Sequence, residues 1–221
     1  VWGAGVQMMD LTTETLSPPM TGNPAGDKTT MHNNDVMAIL QDDNGFFWFG
    51  GYNGLDRYDP AKNEFFNYGS TGENGSGLQT NTIYVIHQGR ENSLWLGTDR
   101  GLYHFSPDTG EFKNFDQSDG LADNNVVGIL EDRNGYFWLS TRYGLSRFKP
   151  DPLEIRNYFS EQGLQSNEFN RFAFEHLSSG EMVFGGVNGF NIFNPEAVKI
   201  PKKPPKVAIT DLLLFNRPVN V

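Results

Sequence analysis

Apolar and polar positions recur along this chain in a fixed order. A short, nearly unbroken apolar run leads into a polar turn. An aromatic segment built around tryptophan follows, then Gly-Leu, then an alternating stretch that ends in proline. Three segments align in this way: NDVMAILQDDNGFFWFGGYNGLDRYDP, NTIYVIHQGRENSLWLGTDRGLYHFSP and NNVVGILEDRNGYFWLSTRYGLSRFKP. A fourth, NEFNRFAFEHLSSGEMVFGGVNGFNIFNP, is degenerate, with Val183 in the tryptophan position. Trp48, Trp95 and Trp138 are separated by 47 and 43 residues, and Gly54, Gly101, Gly144 and Gly189 by 47, 43 and 45. A partial copy opens the chain, with Gly5 in the place of Gly54.

A period of about 45 residues suits a four-stranded propeller blade. In the second unit the strands are expected near Thr82–Gln88, Leu94–Thr98, Leu102–Phe105 and Phe112–Phe115. The first strand of each unit is apolar on both faces, as a strand buried on both sides must be, and is assigned to the propeller axis. Ala38 and Gly128 there are small enough for a crowded axis. The tryptophan of the second strand is expected to fill the space between adjacent blades. Asp42-Asp43-Asn44-Gly45 and Asp132-Arg133-Asn134-Gly135 read as hairpin turns in which both Asn and Gly take positive φ. The repeating Gly is expected to open the third strand after a second tight turn. A helical solenoid of the same period is disfavoured by the Gly-Leu turns, the aromatic alternation and the absence of helical periodicity.

The fold class is therefore all-β: a β-propeller fragment of about four to five four-stranded blades, followed by the first strand of a β-sandwich domain. Residues 1–200 form the propeller, with units near 1–30, 31–77, 78–120, 121–163 and 164–200. The segment 201–221 holds a Pro-rich linker, near Pro201–Pro205, and the start of the next domain. Its prolines fix φ and remove donors, which favours an extended linker.

Composition narrows the function. A net charge of −10 leaves no basic stripe for nucleic acid or for an anionic membrane surface. The chain has no cysteine, so thiol catalysis, Cys-ligated zinc and disulfides are excluded. No run of about eighteen apolar residues occurs that would span a membrane.

The repeat reads G-L-x-x-N-x-V-x-x-I-x-x-D-x-x-G-x-x-W-x-G-T-x-x-G-L-x-x-F-x-P. It is carried by Gly77-Leu78 and Asn81 through Trp95, Gly97 and Thr98 to Gly101-Leu102, and again by Gly120-Leu121 and Asn124 through Trp138 to Gly144-Leu145. This closely resembles the two-component regulator propeller, the periplasmic sensor part of bacterial hybrid histidine kinases and of some diguanylate cyclases. GLQSNEFNRFAFEHLSSGEMVFGGVNGFNIFNPEAV resembles that family's last blade, and PPKVAITDLLLFNRPVNV the first strand of the immunoglobulin-like domain that follows it. The resemblance implies a periplasmic ectodomain of an inner-membrane protein, possessing an oligosaccharide or other polar small-molecule ligand. Its implied partners are the remaining blades and immunoglobulin-like domain of its own chain, and a second copy in a homodimer.

Candidate chemistry is sparse. The Asp-rich turns lack the ligand spacing of a calcium loop. His32, His87, His104 and His176 occupy unrelated repeat positions and form no metal motif. No nucleophile-elbow or phosphate-loop motif is present, so neither a cofactor nor a catalytic set is assigned. Asn34, Asn81, Asn124 and Asn167 precede each first strand and read as turn caps acting on their own backbone. What varies inside the constant frame is the pair before the repeating Gly. Tyr52, Asn53, Asp99, Arg100, Arg142, Tyr143 and Asn188 lie in these second-to-third strand turns, on the face around the central funnel, where loops carry function. They are the expected ligand-binding residues. The rival readings are a propeller enzyme acting on polysaccharide, as lyase or glycosidase, and a protein-interaction scaffold.

Overall fold

The computed structural model describes residues 3, 5–22, 29–32, 34–52, 54–68, 77–80, 82–198, 213–214 and 217–218. A short hairpin pairs β1 (Met9–Asp10) with β2 (Thr15–Leu16). The first blade holds β3 (Val36–Gln41), β4 (Phe47–Gly51), β5 (Gly54–Asp59) and β6 (Glu64–Tyr68). The second holds β7 (Ile83–Gln88), β8 (Leu94–Thr98), β9 (Gly101–Ser106) and β10 (Glu111–Phe115). The third holds β11 (Val126–Glu131), β12 (Phe137–Thr141), β13 (Leu145–Pro150) and β14 (Leu153–Tyr158). The fourth shows three strands, β15 (Phe169–His176), β16 (Met182–Gly186) and β17 (Gly189–Phe193). Each blade is an antiparallel meander in sequence order. A last two-residue pair joins β18 (Leu213–Leu214) to β19 (Arg217–Pro218). The expected linker at Pro201–Pro205 lies outside the described residues.

The first strands β3, β7, β11 and β15 pack side by side, which makes them the inner strands of a β-propeller. The cores lie between blades. Trp48 meets Phe105 of the next blade at 5.8 Å between ring centroids, Trp95 meets Phe148 at 5.6 Å, and Trp138 meets Phe193 at 4.8 Å. All three tryptophans are at most 4% exposed. One residue type, recurring once per period, thus locks each blade to its successor.

The hairpin turns are present, but their backbone differs from the expectation. Only the Gly of each Asn-Gly pair is left-handed, at φ +83° for Gly45 and +76° for Gly135. The reason is the preceding aspartate. Asp42 Oδ1 accepts the backbone N–H of Asn44 and of Phe46, and Asp132 Oδ1 those of Asn134 and Tyr136. These bonds hold a right-handed turn followed by a left-handed Gly, the three-residue loop with a bulge. The middle blade differs: there both Glu91 and Asn92 are left-handed, at +55° and +58°.

The repeated Asn acts beyond its own turn. Asn124 Oδ1 accepts the N–H of Gln117, and Asn167 Oδ1 that of Ser160, each seven residues upstream in the connection between blades. Their backbone carbonyls accept the N–H of Gly101 and Gly144 in the preceding blade. Gly5 donates to the Asn34 carbonyl in the same way, so the opening partial copy is joined to the first blade as the others are to theirs. Asn81 lies outside the described residues.

Candidate functional site

In the second and third blades the second-to-third strand turn is fixed by its own threonine. Thr98 Oγ1 donates to the Gly101 carbonyl at 2.8 Å and accepts from Arg100 N–H, and Thr141 Oγ1 does the same for Gly144 and Tyr143. Most of the side chains between the two strands project from these turns. Tyr52 is 41% and Tyr143 57% exposed, and Arg100, Arg142 and Asn188 are exposed as well. Asp99 is half-buried and accepts a hydrogen bond from the Thr80 hydroxyl.

Each inner strand gains an extra residue at the same end, between Val36 and Ala38, Ile83 and Val85, Val126 and Gly128, and across Phe169–Phe174. Such bulges re-aim a side chain and end regular pairing. At these positions stand Met37, Tyr84 and Val127, and, in the longer irregularity, Arg171. The Arg171 guanidinium lies 4.8 Å over the Tyr84 ring. Burial raises the Tyr84 phenol above the ordinary tyrosine range; Arg171 and Arg142 oppose the rise, and Asp99 and Tyr52 add to it. The side chains that act on Tyr84 come from four blades, Tyr52 of the first, Asp99 of the second, Arg142 of the third and Arg171 of the fourth, and of these Arg171 lies against the ring. Arg142 is also ion-paired with Glu168 at the entry to β15.

Of the expected site residues, Tyr52, Asp99 and Arg142 lie within electrostatic reach of Tyr84. Arg100, Tyr143 and Asn188 do not join the group around Tyr84. The Tyr143 ring leans on Phe159 at 5.7 Å, and the Asn188 backbone donates to Gln165 Oε1. Asn53 lies outside the described residues. Sequence reasoning missed Tyr84 and Arg171. The available signal was that Tyr84 aligns with Met37 and Val127, and that Arg171 interrupts an inner strand. Chemically the group offers two guanidinium forks, a carboxylate and two phenols, a set suited to hydroxyl-bearing ligands. Among the described residues no group of three or more His, Asp or Glu side chains is placed to hold a metal.

Residues 30–53, 77–100 and 120–143 match the two component regulator propeller family. No curated protein matches the chain. Among solved structures, the extracellular domain of BT3049 from B. thetaiotaomicron, named as that of a hybrid two component system, is 22% identical, with a TM-score of 0.72 over 87% of this chain and 25% of its own. The extracellular domain of BT4673 from the same organism is 19% identical, with a TM-score of 0.69 over 86% of this chain and 25% of its own. Virginiamycin B lyase from Staphylococcus aureus is 16% identical, with a TM-score of 0.55 over 80% and 60% of the two chains. These are likenesses of fold, and the chain spans about a quarter of the length of the two extracellular domains.

Proposed function

On the premise that the chain carries two-component regulator propeller repeats, we propose that it is a ligand-sensing module of an extracytoplasmic signalling protein. The extracellular placement of the BT3049 and BT4673 domains supports that location, and the periplasm is the compartment proposed. The ligand proposed is an oligosaccharide or another polar small molecule, taken at the funnel by Tyr52, Asp99 and Arg142 together with Tyr84 and Arg171.

The observation that carries this reading is the Arg171 guanidinium 4.8 Å over the Tyr84 ring, joining the second and fourth blades, with Tyr52, Asp99 and Arg142 within electrostatic reach. A site assembled across blade boundaries is sensitive to how the blades sit against one another. Binding there stabilises one arrangement over others, as a sensor requires. The remaining blades, the following domain and a second copy in a dimer are the proposed route by which that shift is passed on.

Calorimetry of the chain against a panel of neutral and acidic oligosaccharides tests the reading. Saturable binding that weakens in Arg142→Ala and Asp99→Asn is expected. Turnover of a polysaccharide with no retained complex would instead identify an enzyme, and binding unaffected by either substitution would remove the funnel from the site.

A further inference from the structure

Two of the three complete blades close one corner around the tryptophan with an Asp, an aromatic ring and an Arg. Asp42 Oδ2 accepts the Trp48 indole N–H at 2.7 Å, and Arg57 lies 4.8 Å over Phe46 and 5.7 Å over Trp48. In the third blade Asp132 Oδ2 accepts from Trp138 at 3.1 Å, and Arg147 lies 3.4 Å over Tyr136 and 5.8 Å over Trp138. Carboxylate, aromatic cover and guanidinium together seal the tryptophan edge.

The second blade departs at all three positions. Gly89 stands for the aspartate, Ser93 for the aromatic cover, and His104, opposite Trp95 in the strand register, for the arginine. Three reductions in size at one corner leave a cleft of about 550 Å³ between the second and third blades. Trp95 lies against Gly89: a Cβ there would stand 2.8 Å from the indole nitrogen. The indole N–H, which Asp42 and Asp132 take in the neighbouring blades, has no hydrogen-bond partner among the described residues. The His104 ring packs 4.5 Å from that of Trp95, and Phe137 closes the floor at 4.8 Å.

Charges of both signs line this cleft: Glu91, Glu131 and Asp151 beside Arg90 and Lys149. Glu131 is already engaged by His87 Nε2 at 3.3 Å. Arg90 and Lys149 both line the cleft, and among the described residues neither is paired with a carboxylate, although the chain has 27 acidic side chains against 17 Lys and Arg. The Trp95 indole N–H, Arg90 and Lys149, the last 5.0 Å over the Tyr136 ring, border one aromatic floor, and in both neighbouring blades the group that meets this donor is a carboxylate. Charge-assisted bonds of that kind are the strong ones.

We propose that this cleft is a binding site for a small organic carboxylate, whose anionic head meets Trp95 Nε1, Arg90 and Lys149 while its body lies on Trp95 and Phe137. The cleft opens at the end of β8 opposite the funnel turns, so this site is independent of the funnel reading and neither fails with the other.

The chain labelled with 15N-tryptophan and titrated at constant ionic strength with acetate, benzoate and glucuronate, with glucose as the neutral control, tests it. The Trp95 indole resonance, assigned by Trp95→Phe, is expected to move downfield and saturate with at least one carboxylate and not with glucose. The Trp48 and Trp138 resonances, already bonded to aspartate, should stay in place. His104→Arg restores the residue that covers tryptophan in the neighbouring blades and should abolish the shift. Arg90→Ala, at an exposed rim position, should weaken binding about tenfold. No saturable shift with any of the three carboxylates, an equal shift with glucose, or undiminished binding in Arg90→Ala would overturn the proposal, the last deciding the matter even where His104→Arg does not fold.

Discussion

The backbone N–H of Gly144 donates to the carbonyl of Asn167 at 2.7 Å, across the boundary between the third and fourth blades. The bond requires Gly144 at φ +108°, a conformation that L side chains rarely adopt. A Cβ there would also stand 2.8 Å from the Phe159 ring and 2.9 Å from the Tyr158 carbonyl. Gly144→Ala therefore strains the turn and pushes against neighbouring backbone at once, and a loss of about 2–4 kcal/mol is expected. Urea unfolding measures it. A loss below about 0.5 kcal/mol, the level of ordinary surface changes, would show that the junction is not held by this bond.

Asp132 offers a second measurement of how one residue serves two elements. Its Oδ1 holds the turn through the N–H groups of Asn134 and Tyr136, and its Oδ2 holds the Trp138 indole, in a side chain only 4% exposed. Removing it leaves the buried Trp138 indole N–H without a partner and frees two turn N–H groups, which costs more than the bonds themselves contribute. Asp132→Ala is expected to lose about 2–4 kcal/mol, against less than about 0.5 for Asp43→Ala on the exposed side of the equivalent turn. Equal effects of the two substitutions in denaturant titration would contradict the role assigned to Asp132.

The difference between what these residues reveal in sequence and what they do in space is instructive. Trp48, Trp95 and Trp138 are legible because each performs the same task one period apart, against a phenylalanine at a fixed offset in the next unit. The repeating Gly is legible because its backbone demand is local. The role of Asn167 toward Gly144 is not, since a backbone carbonyl carries no sequence signal. The link between Tyr84 and Arg171 also escapes, because it spans two blades and depends on bulges set by partner strands. The cleft at Gly89 lies between these cases. Gly89, Ser93 and His104 each read as repeat degeneracy, and only their meeting at one corner gives them a common consequence.

The Tyr84 phenol reports on the funnel. Burial raises it above the tyrosine range, Asp99 raises it further and Arg171 draws it down. In a chain labelled with 13Cζ-tyrosine, the Tyr84 resonance, assigned by Tyr84→Phe, should titrate above an ordinary tyrosine. Asp99→Asn should bring it down and Arg171→Gln should take it higher still. Opposite signs, or no response to either substitution, would mean that these side chains do not share the funnel with Tyr84.

His104 gives a pH signature to the second blade. Burial lowers its imidazole below the ordinary value of 6.5, and Lys113 adds to the fall. The folded state therefore holds the proton less tightly than the unfolded chain. Between the two pKa values the unfolded state binds more protons, so stability rises with pH across that window. The neutral ring's full contribution is present above about 6.5 and is lost as pH falls through the folded value. Stability measured by urea unfolding should decline on acidification from pH 7, beginning in the histidine range and ahead of the carboxylates. His104→Gln should flatten that first part of the decline and leave the later part in place. A wild-type curve that is level through the histidine range, or one that His104→Gln leaves unchanged, would remove His104 as its cause.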